Sequence, residues 1–355
     1  MRSTRRVQLA LAALWAIDAL LQLQAPNFTP DLVYGTILGN IENQPQPIAG
    51  SILTAVHLLG PHAVELNVAI IVVQLALCVG LVWRRTVKLA LAGSIAWALG
   101  IWWFGEGFGG IFAGEGSILA GAPGAALLYA LLALLAWPVD RPQAGSVAGA
   151  PGLTHEQHLD DPVDRPQTAG SVAGAGALGE RRALYAWALL WVGGALLPLL
   201  PLGFAPVYAL QADLQTGLNE EPGWMLHLGD SLSRFAGTAG IALPIAIAIL
   251  EAGIGVGVLC CERHRRAFLA AAIVVSCAYW LVGQQLAGLL TGGATDVDSA
   301  PLYVLFALTL WPRRAGARSA ARTARAEDAQ TTRATTTTAT SRVALSTSRG
   351  KTLGV

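Results

Sequence analysis

The chain has 355 residues, of which 54% are hydrophobic and only 13% carry charge, and its formal net charge is +1. A soluble domain carries roughly 25% charged residues, so the composition argues against a soluble globular protein. The near-zero net charge gives no sign of the basic surface that nucleic-acid binding requires. Long uncharged stretches between short arginine clusters are typical of a protein that is dissolved in lipid.

Eight apolar stretches predict membrane spans, because an apolar helix of about 20 residues crosses the hydrocarbon core of a bilayer. The predicted spans are 7–24, 63–83, 89–112, 118–137, 183–201, 236–260, 267–290 and 300–312. The last stretch is the shortest. It is predicted to cross because it corresponds to the fourth span and because an arginine-rich tail follows it.

The basic residues predict the orientation of these spans. They cluster before the first span, in every second loop and after the eighth span, and Arg234 is the one exception among 23. Positive residues of multi-pass proteins face the cytoplasm. The pattern therefore predicts a protein of the bacterial plasma membrane with both termini in the cytoplasm and the lipid bilayer as its partner.

The sequence also contains one unit twice. The run IWWFGEGFGG from Ile101 corresponds to YWLVGQQLAG from Tyr279, and LLYALLALLAWP from Leu127 corresponds to PLYVLFALTLWP from Pro301. Because each unit has an even number of spans, both copies enter the membrane in the same orientation. We predict an all-α polytopic membrane bundle of two tandem parallel four-span repeats.

The predicted boundaries place the first four-span unit at 1–138 and the second at 181–312. The linker at 139–180 and the tail at 313–355 are rich in small and polar residues and bury too little apolar surface to fold. Both are predicted to be disordered and cytoplasmic.

The long segments after the first and fifth spans predict amphipathic helices at the outer interface. In the first of them, Val33, Ile37, Ile52 and Val56 recur at helical spacing. Such helices would cover the bundle on its outer side.

A few polar side chains fall within the predicted spans. Inserting an ionisable group at the centre of a membrane helix costs about 2.5–3.5 kcal/mol of free energy. The candidate site residues are Asp18, Gln74, Glu106, Glu251 and Gln284. Glu106 corresponds to Gln284, and Glu251 corresponds to Gln74, so acid and amide are exchanged between the units. Asp18 corresponds to Gly194. Glycines beside Glu106 allow close helix approach, and desolvation there favours a neutral carboxyl.

Two interpretations of these residues remain open. They hold the helices together through hydrogen bonds, or they form a proton, ion or quinone site between the two units. Interhelical polar contacts average only about 0.6 kcal/mol, which is a small gain for burying an acid. The sequence contains no P-loop, dinucleotide fingerprint, GxSxG or zinc motif. Neither an enzymatic activity nor a metal site is therefore predicted.

A four-helix unit with a long first outer segment and a glycine-rich third helix resembles the DoxX/DoxD-like superfamily of small bacterial membrane proteins. The runs LWAIDALLQLQ, WWFGEGFGG and GAPGAALLYALLALLAWP are similar to those of a group of actinobacterial multi-pass proteins. Some DoxX-like proteins are membrane partners of thiol or thiosulfate oxidation systems that pass electrons to quinone. The resemblance implies an accessory subunit of a membrane redox system, with a redox protein partner and quinone as the associated cofactor.

Two other functions are consistent with the residues. The first is a small-solute or proton-coupled transporter with its site between the two units, at Asp18, Glu106 and Glu251. The second is a structural or lipid-interacting scaffold. No oligomeric state is predicted.

Overall fold

The computed structural model describes residues 2–114, 116–138, 176–200, 206–215 and 221–312, and every regular element in these ranges is helical. The predicted tail and most of the predicted linker lie outside the described residues. The helices are α1 Arg2–Leu21, α2 Gln46–Leu59, α3 Ala63–Val82, α4 Val87–Phe104, α5 Ala125–Leu135, α6 Gly179–Leu196, α7 Pro206–Asp213, α8 Gly223–Ala239, α9 Ala242–Cys260, α10 Arg265–Val282 and α11 Ser299–Leu310.

Five helical stretches in the described ranges are long and apolar enough to cross a membrane, judged by length and composition. They are Gln46–Val82, Val87–Phe104, Gly176–Leu199, Ala242–Cys260 and Glu262–Val282. The all-helical class is confirmed, and these helices are what an integral membrane protein requires. Helix α1 is also 20 residues long, but it carries three arginines and Asp18.

Several helices are shorter than the predicted spans. The third predicted span, 89–112, is helical only to Phe104, and the seventh, 267–290, is helical only to Val282. The fourth, 118–137, becomes helical only at Ala125. The apolar sequence continues through these boundaries while the backbone changes conformation, and hydropathy does not detect that change.

A left-handed turn follows both α4 and α10. Four successive residues have positive φ at Gly107–Gly110, with angles of 49°, 60°, 62° and 70°, and four do so at 285–288, with 44°, 55°, 61° and 66°. Left-handed backbone costs roughly 1–2 kcal/mol for each residue with a β-carbon. The second turn contains Gln285, Leu286 and Ala287, so it depends on tertiary contacts more than the first.

The two shortest apolar helices, α5 and α11, form the centre of the bundle. Leu128 and Leu132 of α5, and Leu302 and Phe306 of α11, are all 0% exposed. Helix α4 packs on α5, α10 packs on α11, and α5 and α11 contact each other. A helix that is apolar on all sides is buried in the interior, so both are shielded by the longer helices.

The first half of the chain, residues 2–138, and the second half, residues 176–311, pack together within one compact unit. Outside this core, Val33, Ile52, Val56 and Ala63 form a small separate cluster of buried apolar residues. The predicted helix after the first span is confirmed as α2, with Ile52 and Val56 on its buried face.

Candidate functional site

The loop before α5 connects the two halves. The side chain of Gln284, just after α10, donates from Nε2 to the carbonyl oxygen of Ile118 at 3.2 Å. The hydroxyl of Tyr303 on α11 donates to the carbonyl oxygen of Ala122 at 3.1 Å. The first half thus places its loop 117–124 against the second half.

The loop before α11 makes the reverse connection. The Asn27 side chain donates from Nδ2 to the carbonyl oxygen of Ala294 at 3.1 Å. The backbone of Val297 interacts with the Asp18 carboxyl. The loop 291–298 of the second half therefore lies against the first half, and Asp18 lies where the halves meet.

Four carboxyl groups come together at this junction, and we call Asp18, Glu106, Asp296 and Asp298 the acidic cluster. Asp296 lies close enough to interact electrostatically with both Asp18 and Glu106, and Asp298 interacts with Glu106 and Asp296. Within the described residues, none of the four pairs with a lysine, arginine or histidine side chain. The cluster is therefore a concentration of acid without a neutralising base.

Asp18 is the most deeply placed member of the acidic cluster, with 1% of its surface exposed. The Tyr129 hydroxyl on α5 donates to its Oδ2. The Tyr129 ring stacks on Trp15, with ring centroids 4.2 Å apart. Oδ1 has no hydrogen-bond partner of normal geometry. The Asp18 carboxyl is thus buried with the Tyr129 hydroxyl and the Val297 backbone as its polar neighbours.

Glu106 caps the beginning of α5. Its Oε1 accepts a hydrogen bond from the backbone N–H of Ala126 at 2.9 Å, while its Oε2 is buried without a partner. The amino end of a helix favours negative charge, which partly offsets the burial of this acid. Trp102 on α4 fixes the adjoining loop by donating to the carbonyl oxygen of Pro123 at 2.6 Å.

Gln284 caps α11 in the same manner. Its Oε1 accepts from the backbone N–H of Ala300 at 3.0 Å, and its Nε2 also reaches the Ser299 hydroxyl oxygen at 3.1 Å. An amide fits here because the position requires an acceptor for Ala300 and a donor for the Ile118 carbonyl. A carboxylate supplies only the acceptor.

Asp296 and Asp298 precede α11 and retain some exposed surface, although protein surrounds them densely. Asp298 caps α11 by accepting from the Ser299 N–H. Its own N–H donates to Oδ1 of Asp296 at 2.6 Å. The surrounding protein desolvates both carboxyls, which disfavours their charged forms.

Glu251 lies in a different environment from the acidic cluster. The Tyr279 hydroxyl donates to its Oε1 at 2.8 Å, and its electrostatic neighbour is Asp213. Gln74 is 3% exposed on α3, and its Oε1 has no hydrogen-bond partner. The structure thus brings Asp18 and Glu106 together and caps α11 with Gln284. Glu251 interacts with Tyr279 and Asp213 instead.

Asp296 and Asp298 were not among the site residues predicted from the sequence. Asp298 directly precedes Ser299 and a helix with proline in its first turn, which is a recognisable helix-start pattern. That pattern indicates a cap. It does not indicate that the loop lies beside Asp18 and Glu106 of the other half.

No family model matches the sequence, and no curated protein or solved structure gives a match. Within the described ranges, no group of three or more His, Cys, Asp or Glu side chains has the arrangement of a metal site. The function is therefore argued from the chemistry of the site itself.

Proposed function

We propose that this integral membrane protein is a proton-coupled carrier in which the acidic cluster binds the coupling proton. The observation that carries the proposal is the meeting of four carboxyl groups without a cationic partner in the described residues. Several neighbouring carboxylates cannot all remain ionised in a poorly solvated site, so such groups share protons. Ionisable groups inside a membrane protein commonly form proton relays.

The difference in exposure within the acidic cluster supports a path for the proton. Asp296 and Asp298 keep part of their surface exposed, whereas Asp18 is buried. Protons enter through the two loop aspartates and reach Asp18, where Tyr129 supplies a hydroxyl and Val297 supplies a backbone contact. A change in the contact between the two halves would alter the proton affinity of the whole cluster.

The protein in this proposal is a tandem of two four-span units with eight passes. Matching contacts in both halves support the repeat. Trp102 donates to the carbonyl of Pro123, as Trp280 does to Val297 at 3.1 Å. Glu106 and Gln284 each cap the next short helix, and both long helices end in a left-handed turn. In this arrangement α5 and α11 cross the membrane together with the irregular loops before them. Non-helical backbone is tolerated at membrane depth where protein buries it.

The arginine distribution supports a bacterial plasma-membrane location with both termini in the cytoplasm. In this orientation the acidic cluster lies toward the outer side, because α1, α4 and α10 end there and α5 and α11 begin there. The redox-accessory role rests on the DoxX-like resemblance alone. No contact within the described residues favours that role or the scaffold role over the carrier.

A pH jump applied to the reconstituted protein tests the proposal. Full-length protein in liposomes on a solid-supported membrane should give a transient current when the bath is acidified, because protons bind within the protein. We expect Asp18→Asn and Glu106→Gln to lose most of this current, since each removes a protonatable group and retains its shape.

Glu65→Gln is the matched control, because Glu65 is exposed at the beginning of α3. Its current should equal that of the wild type. Equal currents in all four proteins would contradict a proton-binding role for the acidic cluster.

A further inference from the structure

The segment between α1 and α2 reaches the acid-bearing loops of both halves, and we call residues 24–44 the strap. Near its beginning, the Asn27 side chain donates from Nδ2 to the carbonyl oxygen of Ala294 at 3.1 Å. Ala294 lies in the loop 291–298, which carries two of the four acids of the acidic cluster. One end of the strap is thus bound to the loop that the second half contributes to the cluster.

The other end of the strap holds the chain on both sides of Glu106. Asn40 donates from Nδ2 to the carbonyl oxygen of Gly105 at 2.7 Å. Gln44 donates from Nε2 to the carbonyl oxygen of Gly107 at 2.8 Å. A β-carbon on Gly107 would lie only 2.8 Å from the Asn40 carbonyl oxygen, so the two backbones are in close contact here. The same strap therefore binds the acid-bearing turn of the first half.

A small apolar core supports the strap between these contacts. Val33 is 0% exposed and packs in one cluster with Ile52 and Val56 of α2. Residues Leu32–Ile37 form a π-helix, a rare conformation that is frequent at functional sites. Because packed protein interiors transmit strain, a strap with its own core keeps its two ends at a fixed separation.

The three contacts share one chemistry. Each donor is a side-chain amide, and each acceptor is a backbone carbonyl next to or within an acid-bearing loop. The amides of Asn and Gln supply donors without carrying a charge, so these contacts add no charge to the acidic cluster. The strap is therefore suited to fixing the positions of the acids without exchanging protons with them.

We propose that the strap sets the separation of the acids in the acidic cluster, with Asn27, Asn40 and Gln44 as positioning residues. This inference rests on the proton-binding function proposed above and names the element that controls the proton site. Within the described residues, the titratable groups that face one another there are Asp18, Glu106, Tyr129, Asp296 and Asp298. Carboxyls that are held close together and away from water retain their protons. A strap that released either loop would separate the acids and admit water, so they would lose their protons at a lower pH.

A pH titration of the infrared C=O stretching band of protonated carboxyl groups tests the proposal on the full-length protein. Asn40→Ala and Gln44→Ala should each move the midpoint of the titration to lower pH by about 0.5 unit, because each removes one hydrogen bond beside Glu106. Asn27→Ala should move it in the same direction through the loop 291–298. Gln46→Ala is the matched control, since Gln46 is an exposed amide at the beginning of α2. Its midpoint should equal that of the wild type.

A second set of variants separates positioning from a general loss of stability. Gln44→Met keeps the length of the side chain and removes the donor, and Gln44 is only half-buried, so this protein should fold and show the same shift as Gln44→Ala. Combining each strap variant with Glu106→Gln isolates the part of the band that belongs to Glu106. The shift caused by Asn40→Ala or Gln44→Ala should be confined largely to that part.

The outcomes distinguish this proposal from the function on which it rests. A wild-type protein without a titrating band would contradict the proton-binding function and the strap proposal with it. A band that titrates in the wild type and keeps its midpoint in Gln44→Met and in the other strap variants that fold would overturn the strap proposal alone. An equal shift in Gln46→Ala would also overturn it.

Discussion

Gly109→Ala should strongly destabilise the protein. Gly109 has φ +62° and ψ 33° in the left-handed turn after α4, and a β-carbon there would overlap the carbonyl of Pro123. Left-handed backbone alone costs roughly 1–2 kcal/mol for alanine. The overlap with rigid backbone adds to this, so we expect a loss of about 3 kcal/mol or more.

Ala287→Gly is the matched change in the second turn and should have the opposite sign. Ala287 has φ 61° and ψ 28°, which glycine adopts without steric cost. The relief of roughly 1–2 kcal/mol exceeds the roughly 0.4–1 kcal/mol that glycine adds to the entropy of the unfolded chain. We expect a net stabilisation of about 0.5–1 kcal/mol.

Unfolding in mild detergent, followed by the fluorescence of the 11 tryptophans, measures both changes. Ala120→Gly is a suitable control, because Ala120 lies in the neighbouring loop outside the positive-φ positions. If Gly109→Ala and Ala287→Gly shift stability in the same direction, the left-handed turns do not have the energetic role described here.

Gln284→Ala should have the second large effect. The substitution leaves the Ala300 N–H without its partner, and the Ile118 carbonyl keeps only the bond from the Gly121 N–H at 3.1 Å. Gln284 is only 5% exposed, so water does not replace the lost contacts. Each buried group left unsatisfied costs about 1–3 kcal/mol. We expect a loss of about 2 kcal/mol of stability, measured by the same tryptophan fluorescence.

Gln284→Glu provides the matched control, because it places in the second half the acid that the first half has at Glu106. A protonated glutamic acid still donates to the Ile118 carbonyl, whereas a carboxylate does not. The protonated form is the more stable in the folded state, so stability should be retained at low pH and fall as the pH rises. Equal stability of Gln284→Glu at pH 5 and pH 8 would contradict the assigned contacts.

The sequence predicted which polar side chains of the two halves correspond better than it predicted the backbone conformation around them. The exchange of acid and amide between Glu106 and Gln284 was visible from the aligned runs, and both side chains cap a short buried helix. Asp18 and Glu106 were selected because charge is costly in an apolar span. This cost depends only on the residue and the apolar sequence around it, so such residues can be found from the sequence alone.

The two left-handed turns and the position of Asp298 depend on the three-dimensional structure and could not be predicted from composition. GFGG at 107–110 hints at unusual backbone through its glycines, but QLAG at 285–288 adopts the same left-handed turn with one glycine. Apolar sequence runs through both turns, so the predicted spans 89–112 and 267–290 extend past the helices, which end at Phe104 and Val282. Asp298 lies near Glu106 because a loop of the second half packs on the first half. Its distance from Glu106 in the sequence gives no indication of that contact.

The protonation state of the acidic cluster is the most direct test of the proposed function. Infrared spectra of the full-length protein at neutral pH, recorded in H₂O and D₂O, detect protonated carboxyl groups through their C=O stretching band. We expect such a band in the wild type and a clear loss of its intensity in Asp18→Asn and in Glu106→Gln, with no loss in Glu65→Gln. A wild-type spectrum without that band, or one that Asp18→Asn and Glu106→Gln leave unchanged, would contradict a proton-holding site between the two halves.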